Sequence, residues 1–312
     1  MIAIVCPGQG AQKPGFLAPW LELPGAREAL TSLGESAQLD LVAHGTTSDA
    51  ETIKDTAVAQ PLLVAAGILV ARELRDGGGL GADVIAGHSV GEVTAAALSG
   101  VLSDEDAMRL VAVRSRAMAK AAAAAPTGMA AVVGGKRPEV LAAIERAGLT
   151  AANINSAAQV VAAGPLEGLS ALGQDAPERA RVIPLQVAGA FHTATMEPAR
   201  AELAEFAPGL PVHDPQVPLL SNAGGEVVDS GSRFLELIVA QVASPVDWEA
   251  CSDRLRDRGV TALIEVAPAG TLTGLAKREL NGIDLLALNT PDDLETARTL
   301  VAGHAGAAGE KE

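Results

Sequence analysis

Ser89 sits in Gly87-His88-Ser89-Val90-Gly91, a hydroxyl flanked by residues small enough for a tight turn. The preceding Asp83-Val84-Ile85-Ala86 reads as a short buried strand, and Gly91 to Gly100 as a helix closed by glycine. Strand, turn and helix in that order are the context a G-x-S-x-G nucleophile elbow requires. The strained turn pushes Ser89 Oγ into the open at a helix N-terminus. Free N–H groups and the positive end of the helix dipole favour an anion close to it. The chemistry this predicts is nucleophilic attack by serine. The competing reading is a glycine-rich turn of any α/β protein, because a bare G-x-S-x-G is a short pattern.

A serine needs a base, and the chain has five histidines: His44, His88, His192, His213 and His304. His88 adjoins the nucleophile, but neighbouring side chains in a tight turn point apart, so it is read as structural. His44 and His213 lie among loop residues and His304 in the tail. His192 follows Gly189-Ala190-Phe191 and precedes a helix, so it is the expected base. It would take the Ser89 proton during attack and return it to the leaving group. The alternative is a lone structural histidine. An α/β-hydrolase carries an acid between serine and histidine; that stretch here offers Asp175, Glu178 and a few others, none well placed.

The elements that must position these residues alternate. Ile2 to Cys6 is a continuous apolar run ended by Pro7-Gly8, as for a buried parallel strand. It leads into Gly8-Gln9-Gly10-Ala11-Gln12, a loop at the carboxyl end of a strand, where open α/β sheets bind ligands. That loop does not match G-x-G-x-x-G, and no suitably placed acidic residue follows for a ribose, so a nucleotide fingerprint is rejected. Residues 20–55 are helical in patches. Pro61 reads as an early helix position, with a buried helix from Leu62 to Leu74 ended by Gly77-Gly78-Gly79. Ser103 caps a helix running to about Ala124, with Glu105 and Asp106 in its first turn.

From about Pro126 the pattern changes to β-α-β-β-α-β: strands at 128–133, 151–155, 159–163 and 181–185, helices at 138–147 and 165–172. That order is ferredoxin-like. It predicts an insert over 126–187 within a larger unit formed by 1–125 and 188–312. After Gly189 come a helix over 194–206, a strand at 218–221, a helix over 233–242 and another after Pro245 up to Arg258. A strand at 260–266, a helix to Leu280, a strand at 285–288, a helix over 291–301 and a frayed tail from Gly303 complete the chain. Alternation on both sides of the insert predicts a mostly parallel sheet.

The 312 residues are 48% hydrophobic, ample for a buried core, yet only 2% aromatic with no Tyr, so stacking platforms for single-stranded nucleic acid are excluded. A net charge of −15 argues against nucleic acid or anionic membranes as partners. Cys6 and Cys251 are far apart and read as core residues, which suggests neither a disulfide framework nor a metal site. The longest apolar run, Leu62 to Ala71, is far short of the ~20 residues that span a bilayer, and the first residues enter a strand without a leader pattern. The expectation is a soluble cytoplasmic protein.

Pro7-Gly8-Gln9-Gly10-Ala11-Gln12, Gly87-His88-Ser89-Val90-Gly91-Glu92, the Arg114 helix, Gly189-Ala190-Phe191-His192 and Gln241 followed by Ser244-Pro245-Val246-Asp247-Trp248 occur together in this order. The combination closely resembles the malonyl-CoA:acyl carrier protein transacylases of fatty-acid and polyketide synthesis, from Val5 to about Thr273. The resemblance implies an α/β-hydrolase-like core with a ferredoxin-like insert. It implies that Ser89 is acylated, that His192 is its base, and that Arg114 holds the malonyl carboxylate. Gln9 matches the oxyanion loop, with the backbone N–H of Val90 as second donor, and Gln241 matches the residue that orients the histidine in place of an acid. Val90 and Phe191 match malonyl-using rather than methylmalonyl-using relatives.

The implied reaction is ping-pong transfer of malonyl from malonyl-CoA to the phosphopantetheine thiol of an acyl carrier protein, with no permanently bound cofactor. Carrier proteins are usually acidic, so a local basic patch is needed: Arg109, Arg116 and Lys120, or Arg179 with Arg181, or Lys277 with Arg278. Two alternatives stand beside this: a serine esterase or thioesterase on the same elbow, and a binding homologue without chemistry.

Overall fold

The computed structural model describes residues 1–75 and 78–308. After β1 (Ile2–Cys6) come α1 (Ala26–Ala37), α2 (Leu41–Thr46), α3 (Thr56–Arg75), β2 (Val84–Gly87), α4 (Gly91–Leu98) and α5 (Asp104–Ala123). A second run follows: β3 (Thr127–Gly134), α6 (Arg137–Arg146), β4 (Thr150–Ser156), β5 (Gln159–Pro165), α7 (Leu166–Gln174) and β6 (Ala180–Pro184). The chain continues through α8 (Glu197–Phe206), β7 (Leu219–Leu220), β8 (Val227–Val228), α9 (Gly231–Gln241) and β9 (Val246–Asp247). It closes with α10 (Trp248–Asp257), β10 (Ala262–Glu265), α11 (Thr271–Glu279), β11 (Asp284–Ala287) and α12 (Leu294–Ala308).

β1 and β2 are buried along their whole length because helices cover both faces of their sheet. That sheet runs β11-β10-β1-β2-β7-β8 and is parallel except for the edge pair β7 and β8. The second sheet runs β6-β3-β5-β4-β9. Its first four strands are antiparallel neighbours, and the crossing pattern of the β-α-β-β-α-β run is ferredoxin-like. The fold is thus mixed α/β with a mostly parallel main sheet, as the alternation predicts. Ser103 Oγ accepts from Asp106 N at 3.0 Å and starts α5, whose first turn holds Asp104, Glu105 and Asp106 against the positive end of the helix dipole.

Four local expectations are corrected. α3 begins at Thr56 and carries Pro61 inside it, because Asp55 Oδ1 accepts from Ala57 N at 2.8 Å and starts the helix earlier. The helix is therefore longer than its most apolar run. By length and composition it could cross a membrane, but 78% of its most apolar stretch is buried inside this fold. The segment after Pro245 is not helical at once: Val246–Asp247 pairs in parallel with Asn153 and Ile154 of β4, and Asp247 then caps α10 by accepting from Ala250 N. β9 thus joins the second sheet to the returning chain. α12 continues to Ala308, past the tail expected to fray from Gly303. The glycine turn expected at Gly77 begins outside the described residues, as do residues 309–312.

Candidate active site

β2 delivers the chain to Ser89 and α4 carries it away. Ser89 has φ +53°, a left-handed conformation that costs a non-glycine residue energy and marks a site where surrounding contacts enforce the turn. The turn is held by His88 N donating to Cys6 O, Gly91 N to His88 O, and Glu92 N to Ser89 O, at 2.9, 2.9 and 3.0 Å. Gly91 is forced by packing, since a Cβ there would lie 2.2 Å from Cys6 O. Gly8 is tight for a related reason: its Cβ would lie 2.9 Å from His88 Nδ1. The loop after β1 therefore lies directly against the elbow.

His192 Nε2 stands 2.7 Å from Ser89 Oγ, and its Nδ1 stands 2.8 Å from the main-chain carbonyl of Gln241. A carbonyl only accepts, so Nδ1 carries the hydrogen and donates it. In the neutral ring Nε2 is then the bare nitrogen that accepts from the serine hydroxyl. His192 is 3% exposed and, like Ser89, has a left-handed backbone with φ +60°. Burial, reinforced by the nearby Arg114 charge, pushes its pKa down to about 3, so the ring is neutral at physiological pH.

Arg114 projects from the middle of α5 and is fully buried. Its Nη1 donates to Gln60 Oε1 at 2.6 Å and its Nη2 to Gln241 Oε1 at 2.9 Å; Nη2 also lies 3.5 Å from Ser89 Oγ. Its Nε is buried without a partner among the described residues. Among the described residues the guanidinium thus contacts two neutral amide oxygens and the serine hydroxyl but no carboxylate. A buried cation so placed favours an anionic substrate group. Burial lowers its pKa to about 10, which leaves it charged at neutral pH.

Beneath the elbow lies a polar network. Glu92 Oε1 accepts from Asn222 N at 2.6 Å, and Glu92 Oε2 accepts from Gln241 Nε2. Asn222 Oδ1 accepts from Ser89 N at 2.8 Å and from Gln241 Nε2 at 3.0 Å, while Asn222 Nδ2 donates to Gly87 O at 2.7 Å. Burial pushes the Glu92 pKa up to about 7 against the pull of the Asn222 N–H, the Ser221 hydroxyl and the Arg114 charge.

Gln9 lines the cavity at Ser89, and its side chain turns away to donate to Lys54 O at 3.3 Å. Among the described residues the backbone N–H groups of Gln9 and Val90 have no hydrogen-bond partner, so both are free to serve an oxyanion. The cavity, about 80 Å³, is walled by Met118, Met129, Phe191 and Leu185 as well as the polar groups. It is far smaller than the ~300 Å³ of a drug-sized pocket and suits an acyl group of a few carbons.

The structure therefore brings Ser89, His192, Arg114, Gln9, Val90 and Gln241 together. His88 is tied elsewhere: its Nε2 donates to Asn155 Oδ1 at 2.9 Å and its ring lies 5.6 Å from that of Trp248. Gln60, Glu92 and Asn222 were not singled out as site residues by sequence reasoning. The one signal for Asn222 is its place in Ser221-Asn222-Ala223-Gly224, at the carboxyl end of β7. Of the basic patches, Arg109 pairs with Asp106, Lys120 with Glu202 and Arg179 with Glu178. Arg181 lies on β6, whose continuation supplies Leu185 and Val187 to the cavity. Lys277 and Arg278 occupy the last turn of α11, which starts beyond the carboxyl end of β10 and returns towards the amino end of the parallel neighbour β11.

The acyl transferase domain family matches residues 3–300. The malonyl CoA-acyl carrier protein transacylase of Mycobacterium tuberculosis is 49% identical over 302 residues, covering 96% of this chain and 100% of that protein. The Escherichia coli protein of the same name is 32% identical over 305 residues, covering 96% and 99%. The crystal structure of the M. tuberculosis enzyme superposes with a TM-score of 0.93 at 48% identity, over 96% of this chain and 99% of that one. A malonyl-transacylase solved in complex with its type II PKS acyl-carrier protein superposes with a TM-score of 0.91 at 30% identity, over 96% and 99%.

Proposed function

The chain belongs to the acyl transferase domain family, and from that premise we propose how its own residues carry malonyl transfer. The reaction moves a malonyl group from malonyl-CoA to the phosphopantetheine thiol of an acyl carrier protein, with no cofactor. The observation that carries the assignment is the buried Arg114 guanidinium, whose Nη2 lies 3.5 Å from Ser89 Oγ and which, among the described residues, has its Nε unpaired and no carboxylate in contact. A serine hydrolase of neutral esters has no use for such a cation; an acyl donor ending in a carboxylate does.

In this reading Ser89 Oγ attacks the thioester carbonyl as His192 Nε2 removes its proton. The N–H groups of Gln9 and Val90 receive the oxyanion, where one donor is commonly worth ~10²–10³ in rate. His192 returns the proton to the CoA thiolate, which leaves a malonyl ester on Ser89. The carrier thiol then repeats the sequence in reverse, giving its proton to His192 and taking the acyl group. Arg114 anchors the malonyl carboxylate through both halves. An acetyl group leaves the buried cation without an anionic partner and is disfavoured. Residues 126–187 form, in this account, an insert whose strands wall the cavity, and 1–125 with 188–312 supply the nucleophile, base and cation. The proposed compartment is the cytoplasm, where malonyl-CoA is available. Loaded enzyme should transfer malonyl to holo carrier protein with parallel double-reciprocal lines; intersecting lines, or discharge to water at the same rate, would remove the proposal.

A further inference from the structure

Glu92 lies in the first turn of α4, just past Ser89, and is 1% exposed. A glutamate in a first turn ordinarily reaches solvent at the positive end of the helix dipole; this one is folded under the elbow and takes no part in the transfer steps. Burial pushes its pKa up to about 7, so the fold resists its ionisation. Both of its oxygens nevertheless face donors: Asn222 N donates to Oε1 at 2.6 Å and Gln241 Nε2 donates to Oε2. Two donors on two oxygens fit a carboxylate and not a carboxylic acid, whose hydroxyl would meet one of them hydrogen to hydrogen.

The contacts around Gln241 fix which way its carboxamide points. Asn222 cannot turn over, because its Nδ2 donates to Gly87 O and its Oδ1 accepts from Ser89 N. The two hydrogens of Gln241 Nε2 therefore go to Glu92 Oε2 and Asn222 Oδ1, which leaves Oε1 to accept from Arg114 Nη2 at 2.9 Å. Glu92, Gln241 and Arg114 thus run from anion to cation through one neutral amide. A carboxylate placed directly on Arg114 would occupy its fork. One amide away, it draws the guanidinium toward Gln241 and leaves the fork open to a substrate anion.

We propose that Glu92 is a positioning residue for acyl selection: it turns the Gln241 oxygen onto Arg114 and so aims the guanidinium at the malonyl carboxylate beside Ser89. This deepens the malonyl-transfer reading and rests on it. Glu92→Gln offers one acceptor where two are needed. Asn222 N is main chain and keeps that acceptor. The new amide NH2 then confronts Gln241 Nε2, and the Gln241 carboxamide must turn its own NH2 toward Arg114.

The test compares acylation of Ser89 by malonyl-CoA and by acetyl-CoA in the wild-type protein, Glu92→Gln, Gln241→Ala and the double variant. Glu92→Gln should lower kcat/KM for malonyl-CoA roughly tenfold and leave acetyl-CoA within about threefold. In the Gln241→Ala background the same substitution should cost less than about threefold, because the amide it acts through is gone. A carboxyl that merely supports the elbow would cost equally with both donors and in both backgrounds, and that result overturns the proposal.

If Glu92→Gln does not fold, the pH profile of the wild-type protein serves, since protonating Glu92 removes the same acceptor. Among the described residues the titratable groups acting on it are Arg114 from α5, which stays charged, and Cys251 from α10, whose thiol is kept neutral by burial. The ratio of malonyl to acetyl acylation should fall roughly tenfold from about pH 8 to about pH 5.5 in the wild-type protein and stay flat in Gln241→Ala. A flat wild-type ratio overturns the proposal. No malonyl adduct on the wild-type protein at any pH is a different result, and it overturns the malonyl-transfer reading itself.

Discussion

His192 Nδ1 donates to the main-chain carbonyl of Gln241 at 2.8 Å, not to any side chain. The Gln241 side chain is spent elsewhere, on Arg114, Glu92 and Asn222. The histidine is therefore oriented by an atom that every residue type at 241 possesses. Gln241→Ala should keep the base in place and cost only the aim of Arg114, roughly a tenfold loss in acylation by malonyl-CoA. His192→Ala should cost far more, at least ~10²-fold. Equal losses in the two variants would mean that the side chain, not the carbonyl, holds the ring.

Arg114 is expected to select the acyl group. Arg114→Ala removes two charge-assisted bonds to a carboxylate, so acylation by malonyl-CoA should fall ~10²–10³-fold while acylation by acetyl-CoA stays within a few-fold. Initial rates of adduct formation with each donor measure this. A parallel fall with both donors would point to loss of folding or of the serine's setting.

The His192 ring should stay neutral through the working pH range. With its pKa pushed down to about 3 by burial and Arg114, its ring carbon resonances should not move between pH 5 and 8. A titration near 6.5 would contradict this. Between pH 3 and 6.5 the unfolded chain binds the proton and the native state does not, so this residue makes stability rise with pH across that window.

Glu92 acts in the opposite direction. Its pKa is raised from 4.5 to about 7, so the fold holds this proton more tightly than the unfolded chain does. The resulting stabilisation is fully present below pH 4.5 and is lost as pH rises through 7. Relative to Glu92→Gln, the wild-type protein should lose on the order of a few kcal/mol between pH 4.5 and 8. Urea midpoints of both proteins at the two pH values test it; a difference independent of pH would show that the carboxyl titrates normally.

Phe191 is 5% exposed in the cavity wall. Phe191→Ala should open room beside the acyl group and raise acylation by methylmalonyl-CoA relative to malonyl-CoA. An unchanged ratio would place the limit on branching elsewhere in the cavity.

The elbow was legible in the sequence because its causes are local: an apolar run, glycines at fixed offsets and a helical run after them. His192 was legible by its position ahead of a helix. Arg114 and Gln241 were not legible from pattern alone, because one arginine on α5 gives no sign of burial until α3, α9 and the elbow close around it; they came from resemblance. Asn222 and Glu92 meet across 130 residues of sequence, and no local signal records that contact. β9 was missed for a different reason: two residues show no alternation, and their extended form is set by β4. The start of α3 was misplaced because Pro61 is a helix-start signal, whereas Asp55 does the capping.

The most direct measurement is the intact mass of the protein after brief mixing with malonyl-CoA, with acetyl-CoA alongside and Ser89→Ala as control. The account predicts a single malonyl adduct on the native protein, none on the variant, and discharge by holo carrier protein faster than by water. An adduct that survives Ser89→Ala, or no adduct with either donor, would contradict it.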